Sequence, residues 1–382
     1  MTDMSSVASS ATQRVAVAMS GGVDSSVAAA WLVDQGYEVI GLTMRLWDCE
    51  DRANGLMYRS CCGSEDVEDA RRVAQTLGIA FYVVDMRQEF LRDVVNPFLQ
   101  AYAGGRTPNP CMLCNQEIKF KHLLNQTQSL GIQFLATGHY AEIKWTEDQQ
   151  PQLFCGQDSR KDQSYFLAST PLEMLAHLRF PLGGVSKEET RRLAKKWGLH
   201  LAEKKESQDV CFVPDGDYGT FFRRHGVVDR PGLIKGVDGK DLGRHQGIHG
   251  YTIGQRRGLG ISSSRPMFVV AMDVEKNLLI VGPEDALYGQ NARLNRINWL
   301  IPRVLSHQKF RVHAKIRYAS PPVPATLELG STPQQGVIYF DSLQRAITPG
   351  QACVFYEGRQ VLGAGWIESE PMIREDLKIS EK

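Results

Sequence analysis

Short apolar runs alternate with amphipathic stretches through the first part of the chain. RVAVAM (14–19), YEVIGLTMRL (37–46), IAFYVVD (79–85) and IQFLATGH (132–139) are rich in β-branched and aromatic residues and read as strands. Between them, DSSVAAAWLVDQG (24–36), SEDVEDARRVAQTLG (64–78) and NQEIKFKHLLNQTQSLG (115–131) keep helical spacing and close on glycine. Ser64 is the expected N-cap of the second helix, with acids in its first turn and basic residues later, as the helix dipole prefers. This alternation predicts an α/β domain with a doubly wound parallel sheet.

The pattern changes near residue 170. SKEETRRLAKKWG (186–198) is a capped, basic helix, and KKESQDVCFVPDGDYGTFFRRHG (204–226) mixes loop and helix. Beyond residue 230, PGLIKGVDGK, MFVVAMDVEKNLLIVG, FRVHAKIRYA, GVIYFD and QACVFYEGRQVLGAGWI alternate at strand spacing between Gly and Pro turns. They predict a small barrel or sandwich. The expected division is a domain over 1–170, a small central domain over 171–226 and a C-terminal β-barrel over 227–382. The last residues, EDLKISEK, read as frayed.

Composition narrows the function classes. At 382 residues the chain is too long for one ordinary core, which agrees with two or three domains. A net charge of +1 gives no general attraction to nucleic acid or membrane, so a basic surface has to be local. No apolar run approaches membrane-spanning length, and MTDMSSVASSATQ lacks the regions of a secretory signal and reads as a loose tail. The eight cysteines are spread unevenly, which fits a reducing cytoplasm.

Two stretches carry candidate chemistry. AMSGGVDSS (18–26) falls between the first strand and first helix, where an open α/β sheet presents backbone N–H groups. Its glycines let a phosphate approach, and Ser20, Ser25 and Ser26 add hydroxyls. It is neither a Walker A loop nor G-x-G-x-x-G. Asp24 at the helix start repels phosphate unless Mg²⁺ or a hydrogen bond offsets it. In NPCMLCN (109–115), Cys111 and Cys114 are spaced for half a zinc site, a redox pair, an iron–sulfur anchor or a nucleophile with a neighbour. Zinc lacks its second pair: Cys61 and Cys62 are adjacent, and His122 and His139 have no partner pattern. Cys114 sits near an expected helix N-terminus, which favours thiolate. Cys211 lies among polar residues, and the residues alone leave it open between a reactive thiol and an inert buried one.

The Gly-rich turn resembles the PP-loop of ATP pyrophosphatases, which adenylate an acceptor and release pyrophosphate. Together with RTPNPCMLCNQEIKF, ATGHYAEI, KDQSYFL, KKESQDVCF and GIHGYTIGQRRGL, it makes essentially the whole chain similar to the tRNA-specific 2-thiouridylase family. The resemblance implies an adenine nucleotide alpha hydrolase-like domain. It assigns ATP, with Mg²⁺, to Ala18, Met19, Ser20, Gly21, Gly22, Val23, Asp24, Ser25, Met44 and Gly138. Chemistry alone reads Met44 as core. The resemblance makes Cys114 the nucleophile and Cys211 the persulfide carrier, with a disulfide between them as an end state. It places Asn109, Pro110 and Cys111 at the target base, and His139, Lys161, Asp162, Gln163, Arg317, Tyr318 and Gln351 against tRNA.

The implied reaction adenylates the C2 oxygen of the wobble uridine and replaces it with sulfur. Cys114 either attacks the persulfide bond or frees sulfide near the carbon. Glutamate, glutamine and lysine tRNAs are the implied substrates, and a cysteine desulfurase or sulfur-relay protein the implied donor. Many members have aspartate where this chain has Cys111. The change removes a carboxylate and makes Cys111, Cys114 and Cys211 a potential three-thiolate set for a [4Fe–4S] cluster. Arg191, Arg192, Lys195 and Lys196 suit either a solvated face or a phosphate-facing helix, and Arg256 and Arg257 in GQRRGLG suit an RNA loop or a turn. The rival readings are a PP-loop synthetase acting on a small molecule and an RNA-binding or iron–sulfur protein with a vestigial loop.

Overall fold

The computed structural model describes residues 13–47, 64–204, 210–213 and 216–368. Both chain ends, Cys61, Cys62 and the Ser64 cap lie outside the described residues and side chains.

The alternating segment folds as expected. Strands β1 (Arg14–Ala18), β2 (Glu38–Arg45), β3 (Ala80–Asp85) and β4 (Phe134–Ala136) are followed by a hairpin, β5 (Ala141–Trp145) and β6 (Pro151–Cys155), and by the two-residue β7 (Leu178–Arg179). The first sheet has the order β3-β2-β1-β4-β7, all parallel. The chain winds to one side of β1 and then to the other, so the carboxyl end of β1 is the switch point where such sheets bind ligands. Both faces of β1 are buried: Val15 and Val17 pack against helices α1 (Val23–Asp34) and α2 (Ser64–Leu77), and Ala16 and Ala18 face the opposite core. That is why β1 reads as a continuous apolar run.

Two helices form the opposite core. Residues 87–103 run on through Arg87–Phe90, a wider π turn at Leu91–Val95 and Asn96–Ala103. The sequence pattern did not include this helix, because Pro97 interrupts it. The π turn leads into the proline, and Phe90, Val94, Val95 and Phe98 are buried. Residues 110–129 form the other helix, with a π stretch at Cys114–Leu123. It starts at Pro110, five residues before the expected start at 115.

The β-rich region is two sheets. Strands β8 (Gly232–Gly236), β9 (Asp241–His245), β10 (Phe268–Asp273) and β11 (Leu278–Gly282) pair in the order β10-β11-β8-β9. Strands β12 (Tyr288–Trp299), β13 (Lys309–Lys315), β14 (Val323–Leu329), β15 (Gly336–Arg345), β16 (Ala352–Glu357) and β17 (Gln360–Ile367) close into a six-stranded barrel through the β12–β17 pairing. The barrel has its own apolar interior. The β5–β6 hairpin joins β17 at its edge, and Val354, Tyr356, Val361 and Ala364 pack in one core with the 87–103 and 110–129 helices.

Candidate active site

The serine-rich turn lies at the switch point. Gly21 has φ +69°, and a Cβ there would come 2.2 Å from the Asp66 carbonyl oxygen, so only glycine fits between the turn and α2. Gly22 caps α1 in an extended conformation with no side-chain cap, which leaves first-turn N–H groups for an anion. The Ser25 hydroxyl accepts from Ser20 N (3.1 Å), and the Ser26 hydroxyl donates to Gly22 O (2.8 Å). Met19 N donates to Leu42 O, and Thr43 Oγ1 donates to Met19 O (2.7 Å), locking the turn to β2. Gly138 lies so close to the start of α1 that a Cβ would come 2.6 Å from Asp24 C and Ser25 N. Met44 is half-buried at the end of β2. The residues expected to hold a nucleotide are therefore gathered at one sheet edge.

The aspartate problem has a local answer. Asp24 accepts from Lys187 Nζ at 2.6 and 2.8 Å and from the Tyr140 hydroxyl at 2.8 Å. Lys187 is buried at the start of the Lys187–Lys196 helix. On the turn's other side, Lys204 Nζ donates to Gly21 O (2.9 Å), Asp66 (2.6 Å) and Asp69 (2.6 Å). Burial opposes its charge, but the two carboxylates outweigh it and raise its pKa. Sequence reasoning missed Lys187, Tyr140 and Lys204 as site residues. Two had a signal: Tyr140 stands in ATGHYAEI and Lys204 in KKESQDVCF.

The cysteine helix is held by capping and by the barrel. Asn109 is buried, and its Oδ1 accepts from Met112 N (3.2 Å) as the N-cap. Buried Pro110 takes the first helical position. Cys111 is exposed, while Cys114 is half-buried one turn inside the helix. Asn115 Nδ2 donates to Phe166 O (3.1 Å), and Asn115 Oδ1 accepts from Lys119 Nζ (2.8 Å). Gln351 Nε2 donates to Thr107 O (2.9 Å) and Pro108 O (3.3 Å) from the barrel. Cys211 is half-buried, and Phe212 beside it packs on Phe90 and Phe98 with ring centroids 5.5 and 5.1 Å apart. Cys114 and Cys211 both border the core formed by the two helices. Among the described residues, no group of three His, Cys, Asp or Glu side chains is arranged to hold a metal ion.

The expected tRNA residues divide in two. Tyr318 is 38% exposed and packs on Phe166 at 4.5 Å, with Lys315 Nζ 5.2 Å from its ring, so an aromatic step adjoins the cysteine helix. Gln351 and Asn109 reach the same stretch. Others are committed to the framework. Asp162 accepts from Gly156 N and Ser164 N, and Gln163 Oε1 accepts from Tyr140 N. Arg317 donates to the carbonyls of Arg345 and Ala346. Lys161 is half-buried in the same turn as Asp162. His139 is wedged beside Phe120 and Phe180, with Nδ1 2.6 Å from Thr137 Oγ1. Burial, and then the Lys119 charge, hold its pKa well below the ordinary histidine value. In the 187–196 helix, Arg192 pairs with Glu189 (2.6 Å), Lys195 pairs with Glu203 (3.1 Å), and Arg191 donates to Ala202 O (2.8 Å). Arg256 and Arg257 are exposed in a turn.

Among the described residues, no helix is long and apolar enough to cross a membrane. Three families match the chain in succession: a tRNA methyl transferase HUP domain over residues 13–215, a tRNA methyl transferase PRC-barrel domain over 220–283 and an aminomethyltransferase beta-barrel domain over 290–367. A protein named tRNA-specific 2-thiouridylase MnmA from Magnetococcus marinus is 55% identical over 358 residues, 93% of this chain and 99% of that one. Proteins of the same name from Geobacter metallireducens and Rickettsia felis are each 46% identical, over 94% and 92% of this chain and 98% and 96% of their own lengths.

Proposed function

The chain belongs to the tRNA-specific 2-thiouridylase family, and from that premise we propose how its residues make 2-thiouridine at the wobble position of tRNA. It is an enzyme that transfers sulfur to tRNA. The observation that carries the reading is the 55% identity across 93% of the chain. Relatives of this name matched over nearly their full length leave the small-molecule synthetase and the vestigial loop without support.

ATP is the activating substrate. The uncapped N-terminus of α1 and the turn at Ser20–Gly22 suit the phosphates that leave as pyrophosphate. Asp24 fits beside them because Lys187 offsets its charge. Magnesium would enter as the ATP complex, held by phosphate oxygens. Adenylation turns the uridine C2 oxygen into part of AMP, a good leaving group. That step needs the base extruded toward Asn109, Pro110 and Cys111.

Sulfur arrives as a persulfide on Cys211, supplied by a cysteine desulfurase or relay protein. Its terminal sulfur attacks C2, and the C2–O bond breaks as AMP leaves. The Cys114 thiolate then attacks Sγ of Cys211. The S–S bond to the transferred sulfur breaks, and its electron pair stays on that sulfur, giving the thiocarbonyl. Cys114 and Cys211 are left as a disulfide, which a thiol reductant returns to two thiols. Tyr318 stacks on RNA, and Gln351 holds the target-base loop. The glutamate, glutamine and lysine tRNAs are the proposed substrates, and the cytoplasm is the proposed location.

Sulfur transfer to unmodified tRNA with ATP tests this route, comparing wild type with Cys111→Ser, Cys114→Ser and Cys211→Ser. Loss of Cys114 or Cys211 should lower thiolation by about 10³-fold or more, while pyrophosphate release on adenylation of tRNA persists. Cys111→Ser should retain most activity. A Cys114→Ser enzyme that thiolates at the wild-type rate would overturn the route.

A further inference from the structure

Strand β12 loses register with β17 between Asn295 and Asn298. Arg296, inside the break, has φ +46°, a left-handed conformation that side-chain-bearing residues rarely adopt. Such bulges re-aim side chains, and backbone outliers of this kind cluster at functional sites. Here Arg296 is carried to within 5.5 Å of the Trp366 ring centre.

Two open grooves of about 440 and 530 Å³ meet at this point, with Asn295, Arg296 and Glu368 lining both. Arg106 and Arg293 line the smaller one. Among the described residues, Glu368 is the one carboxylate lining either groove, and Asn295 Nδ2 already donates to it at 2.6 Å. Among the described residues, neither Arg106 nor Arg296 has a carboxylate within ion-pair distance, and both are exposed. Partial burial of its guanidinium, and then the Arg106 charge, lower the pKa of Arg296. Asn295 Oδ1, also at the grooves, is buried and has no hydrogen-bond partner among the described residues.

Three arginines beside a half-buried tryptophan suit a ligand with both anionic and π-faced parts. The groove also adjoins the proposed reaction centre. Arg106 is three residues before Asn109, a span of about 10 Å at most. Thr107 N donates to Pro349 O (2.9 Å), fixing that strand of chain to the barrel.

We propose that the groove formed by Arg106, Arg293, Arg296 and Trp366 binds a phosphodiester segment of the tRNA beside the target nucleotide. The arginines take phosphate oxygens, and Trp366 packs on a base or ribose. This rests on the reading of tRNA as substrate and adds a contact site to it.

The test measures binding of unmodified tRNA to the full chain by anisotropy at several salt concentrations, together with thiolation kinetics. The variants are Arg106→Ala, Arg296→Ala and Arg296→Gly. Glycine removes the guanidinium while accepting φ +46° more easily, so weaker binding by Arg296→Gly is not misfolding. Each variant should weaken tRNA binding about tenfold and reduce the slope of log K against log salt by about 0.9, at unchanged ATP affinity. The KM for tRNA should rise, with kcat within about twofold of wild type. Wild-type affinity and slope in Arg296→Gly overturn the site. If wild type binds tRNA through the groove without thiolating it, the site stands and the activity reading falls. If wild type thiolates and all three variants bind normally, the activity reading stands and the site falls.

Discussion

Asp24 and Asn109 each stand at the start of a helix beside the proposed reaction centre, and they are held in opposite ways. Asp24 is fixed by a buried ammonium, Lys187, and by the Tyr140 hydroxyl. Asn109 caps its own helix, and the loop before it is tethered from another domain by neutral hydrogen bonds of Gln351. The nucleotide end is thus set by charge inside the region, residues 13–215, that matches a single family. The base end depends on the barrel staying docked. The two ends should respond differently to mutation and to pH.

The largest break in that contrast is at Asp24. Asp24→Ala removes the carboxylate that faces the buried Lys187 ammonium, at a cost of about 3 kcal/mol, the low end for such pairs because Asp24 itself is partly exposed. Urea unfolding measures it. The double variant Asp24→Ala/Lys187→Met buries no charge and should recover about half of the loss, while ATP binding stays weak in both. A single variant as stable as wild type would show that the pair does not set the turn.

His139 sharpens the comparison through pH. Its folded pKa lies well below the ordinary value of about 6.5, so the fold prefers neutral imidazole. Its contribution to stability is full above about pH 6.5 and is lost as pH falls from there toward the folded pKa, by up to about 1.4 kcal/mol per unit. His139→Gln should flatten the stability profile between about pH 6.5 and 5, read as urea midpoints across that range. An unchanged slope would mean that another group titrates there.

What was legible in the sequence follows the same division. The Gly-rich turn is a local pattern, because a glycine at positive φ acts over a few residues, whereas the cysteine helix was read only from residue 115, short of its Asn109 cap. Lys187 was hidden because its partner is 163 positions away, and a basic helix start looks the same whether its lysine faces water or a buried carboxylate. The 87–103 helix was obscured by Pro97, which a π turn accommodates. Strand periodicity marked residues 230–367 as β but carries no sign of which strands pair, so the division into a four-stranded sheet and a closed barrel appears only in three dimensions. Gln163 and Arg317, expected at RNA, also brace the backbone through their hydrogen bonds, a role that carries no sequence signal.

The smallest expected effect on stability is at Gln351, where the contrast is best resolved. Its amide makes two hydrogen bonds, at 2.9 and 3.3 Å, to successive carbonyls just before Asn109. Gln351→Ala removes neutral, part-buried bonds whose acceptors lie near the surface, so it should cost about 1 kcal/mol. If the tether positions the target-base loop, thiolation should fall about tenfold through a higher KM for tRNA, because a small displacement of a positioning loop is amplified at the reacting atoms. ATP affinity should not change, since Asp24 bonds to Lys187 and Tyr140 and Ser25 bonds to Ser20, all outside the barrel. Equal losses in ATP and tRNA binding would mean that the two ends are one cooperative unit.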